Sequence, residues 1–181
     1  TFSIPIAGLY NIYNALAAYS AAKFFGLSTE EIQEGFSKAQ RVFGRQETFD
    51  VEDKEVMLNL IKNPVGFNQI VQLLSYEKES FSLGVLLNDN PADGQDISWI
   101  WDGDFEGLHA LNAADTAISG IRVEDLGVRM EVAGFENMKV FKTNAELIDW
   151  IRKAPTKKVN VLATYTALLD LRKDFAKEGY L

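Results

Sequence analysis

The chain has 181 residues, 47% hydrophobic and 24% charged, with 18 basic against 26 acidic residues and a formal net charge of -8. That profile is an ordinary globular one, and its acidic balance argues against a nucleic-acid surface, which wants clustered Lys and Arg. No apolar run approaches a membrane span, and with no Cys and a single His, His109, the chain lacks disulfides, thiolate metal sites, a Cys nucleophile and any two-imidazole site.

The opening piece, Thr1–Ile6, alternates like a strand without a partner in view and reads as the end of something larger. Gly8-Leu9-Tyr10-Asn11 leads into an Ala-rich helix ending at Gly26, a residue suited to a left-handed C-cap. Asn11 and Asn14 share a face near its start, and Asn11 is equally readable as its N-cap. Ser28 with Glu31 forms a capping-box start for a second helix carrying Ile32, Phe36 and Ala39. Arg45, in the turn Phe43–Glu47, either reaches a phosphate or pairs with Glu47 at the surface.

A strand pair is expected at Thr48–Val51 and Glu55–Leu60, joined by a turn at Asp53-Lys54. Lys62-Asn63-Pro64 makes a polar turn before a helix over Asn68–Tyr76. The apolar run Leu83–Leu87 reads as a buried strand that breaks at Asn88-Asp89-Asn90-Pro91. Beyond it Asp89, Asp93, Asp96, Asp102, Asp104 and Glu106 alternate with Trp99, Trp101 and Phe105. Such a loop is costly to expose and costly to bury. It is either an acidic surface loop whose aromatics cap the sheet edge or a ligand or partner site at the carboxyl end of a strand.

A helix is expected over Gly107–Ala117, where His109 is given no role, then a strand at Ser119–Val123 and a helix at Val123–Ala133 with Leu126, Val128 and Met130. A strand at Lys139–Phe141, a helix at Ala145–Arg152 capped by Asn144, a strand at Lys158–Ala163 and a last helix opened by Thr164-Tyr165-Thr166 complete the pattern. Alternating strands and helices from about Thr48 onward predict a doubly wound, mostly parallel α/β sheet of Rossmann-like type with an N-terminal helical lead-in.

These residues together resemble a known family. Gly8–Ala15 resembles the helix closing the central ATPase domain of Mur ligases. Phe43-Gly44-Arg45 with Glu47 resembles that family's Gly-Arg-x-Glu opening to its C-terminal domain, and Lys62-Asn63-Pro64 its His-Asn-Pro turn. The run Asp93–Asp102, with Ala163–Ala167, is similar more narrowly to the MurT family, the Mur-ligase-like subunits of lipid II isoglutaminyl synthase in Gram-positive bacteria. Two features depart from ordinary Mur ligases: Asn59 stands where Asp is usual, which weakens a carried-over ribose contact, and Thr164-Tyr165-Thr166 replaces the region that holds an amino acid acceptor.

The resemblance implies that residues 1–45 are the helical end of a central domain and 46–181 a Mur-ligase-type C-terminal domain. It further implies a cytoplasmic enzyme subunit that uses ATP with Mg2+, held mainly outside this chain, to activate the α-carboxylate of D-glutamate in the lipid II stem peptide. Ammonia from a GatD-type glutaminase partner would then give D-isoglutamine. The family implies that an Asp is lent in trans to the partner's Cys and His, since a third group must fix the imidazole. Asp89 is the first choice, being anchored at a strand end, with Asp93 and Asp96 as loop-organising or partner-contact alternatives. Trp99 and Trp101 are expected at the partner interface, and Asn11 and Arg45 near the nucleotide. No metal is expected, because the family's Cys-rich ribbon lies elsewhere. A conventional Mur or folylpolyglutamate-type ligase domain and a non-catalytic docking module stay open as alternatives.

Overall fold

A computed structural model describes Ile4 and residues 8–38 and 45–181. The chain divides into two compact units, Thr1–Phe43 and Gly44–Leu181.

In the first unit, α1 (Leu9–Phe24) starts from Gly8 at φ 100 and ends before Gly26 at φ 88. The N-cap is therefore Gly8 and not Asn11, whose amide donates to the Gly8 carbonyl at 3.1 Å from the first turn. The expected capping box opens α2 (Thr29–Ser37): Ser28 accepts from the Glu31 amide, and the Glu31 carboxylate accepts from the Ser28 amide. The Ser28 amide, and then the Ser28 side chain, hold the Glu31 carboxyl below its usual range. Ala39 and the Phe43-Gly44 part of the following turn lie outside the described residues.

The second unit is a six-stranded sheet in the order β1-β2-β6-β3-β4-β5. β1 (Arg45–Val51) pairs antiparallel with β2 (Lys54–Leu60), and the remaining pairings are parallel. The hairpin turns at Glu52-Asp53, one residue earlier than expected, with Glu52 at φ 55. α3 (Pro64–Leu74) is capped by the Asn63 side chain, which accepts from the Gly66 amide, and Pro64 sits where its missing N–H costs nothing. It therefore begins four residues before the expected Asn68.

β3 (Phe81–Leu86) and β6 (Lys158–Ala163) are buried on both faces, as a covered parallel sheet requires. Leu83 and Val85 face a core shared with Phe67 and Ile70 of α3, Phe105 and Leu108 of α4 (Phe105–Ala110), and Leu126 and Met130 of α5 (Val123–Val132). Gly84 points the other way, where an added Cβ would meet Trp150 of α6 (Asn144–Arg152). α7 (Tyr165–Lys177) covers the same side through Phe175, packed edge-on against Phe49.

Two expectations between β3 and α5 shift. The helix expected at Gly107–Ala117 is only α4, because Asn112 takes φ 54 and Asp115 already opens β4 (Asp115–Ser119). Ser119–Val123 is accordingly the end of β4 and the turn into α5, not a strand. The edge strand β5 (Lys139–Val140) is short, and α6 is capped by Thr143, one residue before Asn144, with Glu146 completing a capping box. No helix among the described residues is long and apolar enough to cross a membrane.

The strand order places the site. The chain steps outward from β2 through β3 and β4 to β5, then returns to insert β6 between β2 and β3. The segments leaving β3 and β6 diverge to opposite faces, which opens a crevice at their carboxyl ends.

Candidate functional site

The crevice is filled by the chain's own loop. The Asn88 amide donates to Thr164 Oγ1 at 2.8 Å, so Thr164 is occupied and its side chain does not cap α7. The Asp93 carboxylate takes over. It accepts from the Thr166 amide at 2.7 Å and the Thr166 hydroxyl at 2.6 Å, placing a negative charge at the α7 N-terminus. Its second oxygen also accepts from the Asn90 amide at 3.1 Å. Thr166 Oγ1 in turn accepts from the side-chain amides of Asn88 and Asn90, and the Asn88 carbonyl oxygen accepts from the Ile121 amide at 2.8 Å. One hydroxyl thus ties three polar residues of the β3 loop to the start of α7.

This network separates the three candidate carboxylates. Asp93 is 5% exposed with three donors on its oxygens, so it organises the loop and is not a surface contact group. Asp96 is exposed and accepts from the Ser98 amide at 2.8 Å; the Ser98 side chain first, and then that amide, hold it below its usual range. Asp89 lies three residues past β3 with its side chain 26% exposed. Its Oδ2 accepts from Arg122 Nη1 at 3.1 Å, and among the described residues Oδ1 accepts no hydrogen bond.

The two tryptophans also separate. Trp99 turns inward and packs beside Phe67, with ring centroids 6.2 Å apart, so it mainly serves the core. Trp101 is 54% exposed and stands over the Arg129 guanidinium at 5.5 Å. A groove of about 520 Å3 brings Trp101 and Asp96 together with Arg122, Asp125 and Val128.

Arg129, unmarked by the sequence reading, holds the acidic loop in place. It is 3% exposed and donates to the Ile100 carbonyl at 2.9 Å, to the Gly103 carbonyl at 3.0 Å, and with both terminal nitrogens to Glu106 at 2.8 Å. Glu106 is held below its usual range chiefly by that fork. A signal was available: Arg129 lies three residues after Leu126 and one before Met130, on the buried face of α5.

At the same carboxyl end of the parallel strands, where β2 lies two strands from β3, Arg45 stands opposite Asn59 in the β1–β2 register, and the register shifts between Arg45 and Glu47. The bulge, with Gln46 at φ 55, puts Arg45 and Glu47 on opposite faces. The expected Arg45–Glu47 pair does not form. Glu47 pairs with Arg172 of α7 at 2.8 Å, while Arg45 is exposed. Asn59 is fully buried, and neither of its side-chain amide atoms has a partner. Lys62 reaches the Ala92 carbonyl at 3.5 Å. His109 is exposed beside Phe135, 5.0 Å between ring centroids, away from these groups.

Residues 60–168 match the family described as MurT ligase C-terminal. The chain belongs to that family. It is 44% identical, over 95% of its length, to the lipid II isoglutaminyl synthase (glutamine-hydrolyzing) subunit MurT of Streptococcus pneumoniae, of which it covers 39%. To the subunit of the same name in Staphylococcus aureus strain COL it is 36% identical over 82% of its length, covering 35% of that protein. The MurT ligase C-terminal chain therefore spans about two-fifths of the curated relatives it matches. Among solved structures, a Mycobacterium tuberculosis folylpolyglutamate synthase complexed with ADP and AMPPCP shares the fold at a TM-score of 0.70, with 20% identity over 99% of this chain and 42% of that one.

Proposed function

We propose that this chain is the C-terminal domain of a glutamine-hydrolysing, ATP-dependent amidotransferase subunit that converts the second-position D-glutamate of the lipid II stem peptide to D-isoglutamine. The observation that carries the reading is the state of the three loop carboxylates. Asp93 is buried with both oxygens engaged, and Asp96 lies out on the exposed loop with one oxygen on the Ser98 amide, while Asp89 is anchored just past β3 by Arg122 and keeps Oδ1 open. The names of the relatives, glutamine-hydrolysing synthase subunits, supply the reaction class.

In this reading Asp89 accepts a hydrogen bond from the imidazole of a GatD-type partner. The partner's Cys attacks the glutamine carboxamide, the His passes a proton to the departing ammonia, and water then hydrolyses the thioester to release glutamate and restore the thiol. Asp89 fixes the tautomer and stabilises the imidazolium. Ammonia then attacks the acyl phosphate formed, with release of ADP, when ATP phosphorylates the D-glutamate carboxylate; the new C–N bond forms as phosphate departs. Trp101 and the Asp96 side of its groove form the partner contact.

The nucleotide, with Mg2+, is held mainly by parts of the longer relatives that this chain does not span. The second unit fits a share of that role. The Arg45 guanidinium suits a phosphate, and the buried, unpartnered Asn59 amide opposite it is a polar group in want of a ligand. Asn11 of the first unit is assigned to the adenine side. A soluble compartment at the inner face of the membrane suits a lipid II substrate.

The test uses the full-length subunit with its GatD-type partner and lipid II. Asp89→Asn is expected to lower glutamine-dependent amidation by about 10,000-fold, the scale seen when a triad Asp is changed to Asn, while added ammonium salt restores product. Undiminished glutamine-dependent turnover in that variant contradicts the assignment. Incorporation of an amino acid in place of ammonia indicates a conventional ligase.

A further inference from the structure

We propose that Arg122 is the positioning residue for Asp89, fixing the carboxylate in the orientation that offers Oδ1 to the partner's imidazole; this rests on the reading of Asp89 above. Backbone contacts first make the two loops one body. The Arg122 amide donates to the Leu87 carbonyl at 2.9 Å, two residues before Asp89, and the Leu87 amide donates to Ser119 at 3.1 Å. With the Ile121 amide on Asn88, the β4 turn is stitched to the β3 loop immediately beside the candidate carboxylate.

The Arg122 side chain is then held at two points. Nη1 donates to Asp89 Oδ2 at 3.1 Å, and Nε donates to Asp125 Oδ2 at 2.8 Å. Asp125 belongs to the first turn of α5, so the helix sets the plane of the guanidinium, and the guanidinium sets the Asp89 carboxylate. An unheld Asp side chain rotates about two torsions, whereas a group that must orient another side chain needs its own rotamer locked.

The placement also runs against helix electrostatics. Arg122 occupies the N-cap of α5 and makes no side-chain cap bond there. A cation at a helix N-terminus opposes the helix dipole. The Asp125 pair offsets that opposition locally, and the Arg122 Nη1 left over from it is the group that reaches Asp89.

The experiment measures glutaminase steady-state kinetics of the full-length subunit with its GatD-type partner, for Arg122→Met, Arg122→Lys, Asp89→Asn and the double variant Asp89→Asn/Arg122→Met. Arg122→Met is expected to lower kcat by about 10- to 100-fold, the range typical of groups that act through another residue, with KM for glutamine and affinity for the partner unchanged. Arg122→Lys recovers part of the loss, since it keeps the charge without the fork. The double variant is no slower than Asp89→Asn alone, because the Arg acts only through the Asp. Wild-type kcat in Arg122→Met, a loss abolished by saturating partner, or additive losses in the double variant overturn the inference while leaving Asp89 in place. Wild-type turnover in Asp89→Asn overturns the reading beneath it.

Discussion

Asp93 and Asn59 show opposite solutions to burying a polar side chain. Asp93 is buried among three donors and acts as a remote cap for α7. Asp93→Ala is expected to cost about 2–3 kcal/mol, the scale for leaving buried donors unpaired, measured by urea denaturation. Asp93→Asn, which keeps one acceptor, should cost less. Unchanged stability in Asp93→Ala would remove the loop-organising role. Asn59 is buried with no partner at all, so its amide is a cost in the ligand-free fold. Asn59→Leu, of similar volume, is expected to raise the melting temperature of the free protein and to weaken nucleotide binding in the full-length subunit. A lower melting temperature for the free variant would contradict this account of the orphaned amide.

The acidic loop is held by elements distant in sequence. Arg129 of α5 supplies donors to two loop carbonyls and to Glu106, so Arg129→Leu leaves Ile100 and Gly103 without their partner. A loss of about 2–4 kcal/mol is expected from two orphaned buried carbonyls, read as a lower urea midpoint with greater proteolytic cutting within residues 94–106. Gly120 is equally constrained: at φ 107, an added Cβ would stand 2.4 Å from the Leu87 carbonyl oxygen. Gly120→Ala should push apart the turn and loop that carry Arg122 and Asp89. The Ser28–Glu31 capping box was legible because it is local, whereas the caps read at Asn11 and Asn144 fall on Gly8 and Thr143. The β3 and β6 strands were legible because doubly covered strands are mostly apolar, as in Leu83–Leu87, even though β6 buries Asn160. Arg129 to Ile100, Arg122 to Asp89 and Asp93 to Thr166 join residues tens of positions apart, and no local pattern announces such pairs. The short α4 was overextended because helical spacing continues past Leu111, and only the left-handed Asn112 ends it. Trp99 and Trp101 look alike in sequence, and it is the 3-10 turn at Ser98–Trp101 that sends one inward and one out.

For the molecule as a whole, ion pairs set the acid limit of stability. Lys158 beside Glu77 holds that carboxyl below its ordinary 4.5, and Arg129 does the same for Glu106. Lys177, then Asn144, lowers Asp174 from 3.8. A lowered carboxyl contributes its stabilisation in full above its ordinary value and loses it as pH falls through the folded value. Lys158 is raised above 10.5, so its contribution persists through neutral pH and is lost only in strong alkali. The urea midpoint should therefore stay nearly level near neutrality and fall below about pH 4.5. Glu77→Gln should flatten part of that acid limb; an unaltered limb would show that the Glu77–Lys158 pair is not linked to folding. The same arrangement of sheet, crevice and filled loop leaves one anchored carboxylate, Asp89, part-exposed and held by Arg122, which also lines the groove of the exposed Trp101. The most direct measurement of that claim is glutamine hydrolysis by a purified GatD-type partner, alone and with the full-length subunit carrying either wild-type Asp89 or Asp89→Asn. The account predicts that the wild-type subunit switches hydrolysis on, while the variant binds equally well and leaves it off. Equal hydrolysis with both would contradict it and make the acidic loop a docking surface.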